Sequence, residues 1–101
     1  MEPNVKDRPD SKSKEKVKEP EQYRVILLND HYTTMEFVVE VLIVVFHKDL
    51  EDAYRIMLDV HKKGRGIVGV YTWDIAVTKM EQVHAAAEAN EVPLKCIVEP
   101  V

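Results

Sequence analysis

Residues Tyr23–Glu36, YRVILLNDHYTTME, decide the reading of the chain. Val25, Ile26, Leu27 and Leu28 form an apolar, β-favouring run. Asn29 and Asp30 end it, because their side chains bond locally to backbone in preference to ladder pairing. Thr33 is followed three residues later by Glu36 and then by Phe37, Val38 and Val39, the capping-box pattern of a helix start. The segment therefore predicts a strand, a polar turn and a helix. Asn29, Asp30, His31, Tyr32 and Thr33 are presented between two rigid elements, a common setting for a site.

Downstream, Met35, Val38, Val39, Leu42, Val45 and Phe46 recur at helical spacing, predicting an amphipathic helix from about Thr34 to His47. Asp49, with Asp52 three residues on, predicts the cap of a second helix that Gly64 ends in a left-handed conformation. Gly66–Thr72, GIVGVYT, reads as a strand pairing with the first. Thr72 is the expected cap of a third helix running to about Asn90. Pro93 stops any continuation, and Leu94–Val98 reads as a third strand. The expected fold is α+β, in the order β-α-α-β-α-β. It is a two-layer sandwich of a three-stranded, mainly antiparallel sheet packed against three helices.

The chain has 101 residues, so it holds one domain at most. Residues 1–22 are Lys, Glu, Asp, Ser and Pro with only Val5 and Val17 as aliphatics, too little apolar area to offset the entropy of ordering. A disordered arm is expected there, with the folded domain over residues 23–101. Eighteen acidic residues against fourteen basic leave a net charge of −4, which supplies no electrostatic footprint for nucleic acid or anionic membrane. The longest apolar block, Val38–Phe46, is interrupted by Glu40 and falls short of the ~20 residues of a membrane span. The charged start has no apolar core of a signal peptide, and the single cysteine, Cys96, fits a reducing compartment. The expectation is a cytoplasmic monomer.

On the second helix Met57, Val60 and His61 stand at i, i+3 and i+4, so one face presents two apolar side chains and an imidazole together. That face is able to meet the Asn29 turn. His61, Asp30 and Cys96 are residue types of nucleophilic catalysis, but no nucleophile motif surrounds Cys96, which reads as a small core residue. His31, His47, His61 and His84 show no metal-ligand spacing and fall on different elements, so no metal or other cofactor is expected.

Four segments, YRVILLNDHYTTMEFVVEVL, MLDVHKKG, GVYTWDIAVTK and NEVPLKC, together resemble the ClpS adaptors of the bacterial N-end rule pathway, in order and in spacing. The resemblance implies a non-enzymatic adaptor. Such an adaptor binds the free first residue (Leu, Phe, Tyr or Trp) of a substrate protein and delivers that protein to ClpAP, an AAA+ unfoldase with its peptidase. It places Met35, Val38, Met57, Val60 and Leu94 around the substrate's first side chain, where flexible methionines suit a cavity that admits several shapes. It assigns Asn29, Asp30 and His61 to the α-ammonium, His31 and Thr33 to the rim, and Thr72, Asp74 and Lys79 to docking on the N-terminal domain of ClpA. The arm over residues 1–22 resembles the segment that the unfoldase engages. Three positions depart from the family pattern: His31 replaces a usual acidic residue, Thr34 a common proline, and Val77 a common acidic residue.

Overall fold

The computed structural model describes residues 19–101; residues 1–18, most of the expected arm, lie outside the described residues. The elements follow the expected order: β1 (Gln22–Leu28), α1 (Met35–Val44), α2 (Leu50–Lys63), β2 (Arg65–Thr72), α3 (Trp73–Ala89) and β3 (Lys95–Pro100). β1 runs in the middle of the sheet, antiparallel to β2 on one side and to β3 on the other. The architecture is the α+β arrangement expected.

Alternation along β1 explains the layering. Val25 and Leu27 point into the helical layer and are fully buried, in one core with Leu42 of α1, Ile56 of α2, Val83 of α3 and Cys96 of β3. Ile26 points to the opposite face, where its register partners are Ile67 and Ile97. Arg65, paired with Leu28, reaches Glu99, paired with Arg24, at 2.9 Å. Ile26 is itself fully buried, although it stands outside the core cluster that Val25 and Leu27 join.

Several boundaries differ from those read in the sequence, each for a local reason. The first helix ends at Val44 rather than near His47, because His47 adopts a left-handed φ of 59°. Its N–H donates to Ile43 O (3.0 Å), and Lys48 N–H reaches back to Leu42 O (3.1 Å), so a left-handed residue closes the helix with nested bonds each one residue wider than those of a Schellman motif. The half-buried Lys79 ammonium adds a 2.7 Å bond to Val45 O at the same helix end. The expected Thr33–Glu36 capping box does not form. The cap is Thr34, whose Oγ1 accepts the Phe37 N–H at 3.1 Å, while Thr33 is engaged by Asp30. Thr72 occupies the cap position of α3 with extended backbone but makes no side-chain cap bond. β1 starts one residue early, at Gln22, and β3 runs to Pro100. The remaining caps match: Asp49 Oδ1 accepts the Asp52 N–H at 2.8 Å, and Gly64 ends α2 at φ 88°.

Gly66 sets the distance between α2 and the sheet. A Cβ placed there lies 2.7 Å from Val60 Cγ2 and 3.0 Å from Ile56 O, and the second contact is backbone that cannot swing aside. Gly66→Ala therefore pushes α2 off β2 and is expected to destabilise the fold by about 1–3 kcal/mol. Chemical denaturation of the variant checks this.

Candidate functional site

The residues around the β1–α1 turn and the end of α2 enclose one cavity of about 300 Å³. Its floor is apolar: Val38 from α1 with Met57 and Val60 from α2, all nearly fully buried. Met35, at the start of α1, is 46% exposed and stands at the mouth. The rim is polar, formed by Asn29, Asp30, His31, Thr33 and Thr34 from the turn and by His61 from the last turn of α2. Asn29 N–H donates to Gly64 O at 3.0 Å, which joins the strand end to the helix end and brings the Asn29 amide and the His61 ring to one rim. Both are exposed and able to accept hydrogen bonds from a cation, as an amide oxygen and an unprotonated ring nitrogen. Met35 and Met57 also line a separate cleft with Tyr54, so these two flexible side chains have room on both sides.

Asp30 holds the turn. Its Oδ1 accepts the N–H groups of Tyr32 and Thr33, both at 2.7 Å, and its Oδ2 accepts the Thr33 hydroxyl at 2.7 Å. Partial burial alone raises the pKa of this carboxyl. The bonds from Thr33 and Tyr32, with the nearby His31, outweigh that and leave it below the ordinary carboxylate value. The carboxylate's acceptor sites thus serve the turn itself, and toward a ligand Asp30 contributes chiefly negative potential.

Of the residues assigned to the site, Asn29, Asp30, His31, Thr33, Met35, Val38, Met57, Val60 and His61 line this cavity. Leu94 does not: it is buried in the common core just before β3 begins. Thr34 also lines the rim, although the sequence marks it only by its place at the helix start and by its replacing a proline common in the family. Thr72 and Asp74 sit at the start of α3, while Lys79 of the same helix is spent on Val45 O. Cys96 is buried, and burial pushes its thiol up to about 12, which withholds the thiolate a nucleophile needs. Its backbone N–H donates to His84 Nε2 at 3.1 Å, giving that histidine a structural task at the free edge of β3.

Residues 18–97 match the family model described as ATP-dependent Clp protease adaptor protein ClpS. The chain is 61% identical over 87 residues to the ATP-dependent Clp protease adapter protein ClpS of Syntrophus aciditrophicus, covering 86% of this chain and 81% of that one. Its identity to the protein of the same name from Acetivibrio thermocellus is 61% over 83 residues, covering 82% and 84%. Among solved structures, Agrobacterium tumefaciens ClpS2 bound to L-phenylalaninamide superposes with a TM-score of 0.80 at 37% identity, covering 82% of this chain and 100% of that one.

The Asp30 turn generates a prediction with a definite sign. A carboxyl whose pKa is lower folded than unfolded stabilises the fold above the unfolded value of ~3.9, and that contribution fades as the pH falls through the folded value. Asp30→Ala is therefore expected to cost about 1–3 kcal/mol at neutral pH through the lost charge-assisted bonds. The gap between wild type and variant should narrow below pH ~4. Urea unfolding of both proteins across that range measures it.

Proposed function

The chain belongs to the ClpS family of ATP-dependent Clp protease adaptors, and on that premise we propose that its cavity captures the free first residue of proteins beginning with Leu, Phe, Tyr or Trp. The observation that carries this reading is the coexistence, in one cavity, of an apolar floor and a rim that holds hydrogen-bond acceptors. A chain terminus is the ligand that needs both. Its side chain enters the floor formed by Val38, Met57 and Val60, a burial worth about 1.5–3 kcal/mol. Its ammonium donates to the Asn29 amide oxygen and to neutral His61, in the negative potential of Asp30, with His31 and Thr33 beside it at the rim. L-phenylalaninamide, the ligand of the Agrobacterium tumefaciens protein, has the free amine and benzyl side chain of such a terminus with an amide in place of the onward chain.

In this reading the protein is a non-enzymatic, monomeric, cytoplasmic adaptor that hands its cargo to ClpAP. The start of α3, with Thr72, Asp74 and Lys79, docks on the N-terminal domain of the ClpA unfoldase, and the segment that precedes β1 is the arm that the unfoldase engages. Asp74 is exposed and available for such docking, whereas Lys79 also closes α1, so its loss would act on the fold as well as on the interface.

Fluorescence anisotropy with labelled peptides that differ only at their beginning tests the reading. Peptides starting with Leu or Phe are expected to bind, and acetylated Phe to fail, because acetylation removes the charge and two of the amine's donors. Equal binding of all of them, or of none, rules the cavity out as a terminus receptor. Asn29→Ala and His61→Ala are each expected to weaken the Phe peptide by about 1–3 kcal/mol with the thermal transition of the fold retained. Met35→Ala opens the mouth where a Cβ-branched side chain is widest, so in the same assay it should improve Val and Ile relative to Leu.

A further inference from the structure

A second hollow lies on the other side of the Asn29–His31 turn. It measures about 350 Å³ and uses those three turn residues as a wall in common with the first cavity. Its remaining boundary is Leu28 and Tyr32 from the end of β1 and the turn, with Pro93 and Lys95 from the start of β3. Three of these four present hydrocarbon, and the fourth places an ammonium at the edge. The Tyr32 ring is 78% exposed, so it contributes little to the core. Its backbone is nevertheless fixed, because its N–H donates to Asp30 Oδ1 at 2.7 Å. An exposed aromatic residue on a hydrogen-bonded turn, lining the same hollow as a proline, makes a ready-made apolar contact.

Chain geometry says what reaches it. Side chains of alternate residues in an extended segment leave from the same face, about 6.6–6.8 Å apart. Asn29, Asp30 and His31 line both hollows, so the wall between them is a single strand of backbone. A peptide whose first side chain fills the first cavity and whose backbone crosses this turn therefore brings its third side chain down on the far side. Its second side chain points to solvent. We propose that the Tyr32–Pro93 hollow is a subsite for the third residue of the bound chain and selects an apolar side chain there. The inference rests on the first cavity's being the seat of the substrate's first residue, and continuity with that cavity is what commits the hollow to the same chain and not to another partner.

The test separates the two claims. L-phenylalaninamide has no third residue and reports on the first cavity alone; labelled peptides beginning Phe-Ser-Ser, Phe-Ser-Leu and Phe-Leu-Ser report on position. Wild-type protein is expected to bind the amide, and to bind Phe-Ser-Leu roughly fivefold to tenfold more tightly than Phe-Ser-Ser, the gain of partly burying one leucine. Phe-Leu-Ser is expected to match Phe-Ser-Ser. Tyr32→Ser and, separately, Pro93→Ser should remove the gain while leaving amide binding as in wild type. No binding of the amide to wild type sinks the first-cavity reading and this inference with it. Amide binding without any gain from leucine at position three, a gain at position two instead, or a gain that survives both substitutions overturns the subsite alone. Loss of amide binding in both variants overturns the independence of the two hollows.

Discussion

The 3.0 Å hydrogen bond from Asn29 N–H to Gly64 O is the constraint on which the site depends. It follows from the strand register. Leu28, the last residue of β1, pairs with Arg65, the first residue of β2, and Arg65 follows Gly64 directly in the chain. Once β1 and β2 pair in that register, the residue after β1 and the residue before β2 must lie side by side. The left-handed Gly64 is what lets α2 stop and β2 begin within a single residue, and it turns a carbonyl toward the strand end. His61 sits one turn back on the same helix, so the pairing that closes the sheet also delivers an imidazole to the Asn29 amide. Gly66 completes the arrangement by letting Val60, part of the floor, approach β2 closely.

Around that join the polar groups divide their labour. Asp30 gives its acceptor sites to the turn, receiving three bonds from Tyr32 and Thr33, and so keeps Asn29 and His31 in place. Asn29 and His61 keep their side chains free of described partners, ready for a ligand's donors. A rim whose shape is set by internal bonds loses little freedom when it binds, which is how a small cavity reaches useful affinity. The floor follows the same logic with one exception. Val38 and Val60 are branched and stiff, whereas Met35 and Met57 are unbranched and border a neighbouring cleft, so adaptability is confined to two side chains.

Most of this was legible in the sequence, because the strongest signals there are also the ones the fold uses. The apolar run Val25–Leu28, the Asp49 cap, Gly64 and Pro93 each act locally, and each lies where the pattern placed it. What was not legible depends on contacts between segments or on competition for one group. Thr33 and Thr34 are equally good caps on paper, and only the fold shows that the Thr33 hydroxyl is aimed at Asp30 while the Thr34 oxygen is aimed at the Phe37 N–H. The end of α1 was misplaced because a left-handed histidine carries none of the signal that a glycine would, and because the Val45 carbonyl is satisfied by Lys79 from α3. Leu94 belongs to the same buried core as Val38, Met57 and Val60 but is not among the residues that line the cavity, a distinction that depends on packing between segments and has no local signal.

Thr34 joins these strands of argument. A proline at that position would pre-set the backbone but has no side-chain acceptor, so the first turn of α1 would lose the bond that Phe37 N–H now makes. Threonine supplies that acceptor, a cap worth about 1 kcal/mol, and at the same time places a hydroxyl on the cavity rim beside Thr33 and Met35. The oxygen is committed to the helix, but the hydroxyl hydrogen is not, so this rim carries one more donor than proline would allow. On the proposed function, such a donor has no use for the ammonium, which needs acceptors, and it suits the carbonyl that follows the ammonium in a peptide. A single residue thus stabilises the helix that carries Met35 and Val38 and changes which backbone atoms the mouth of the cavity can address.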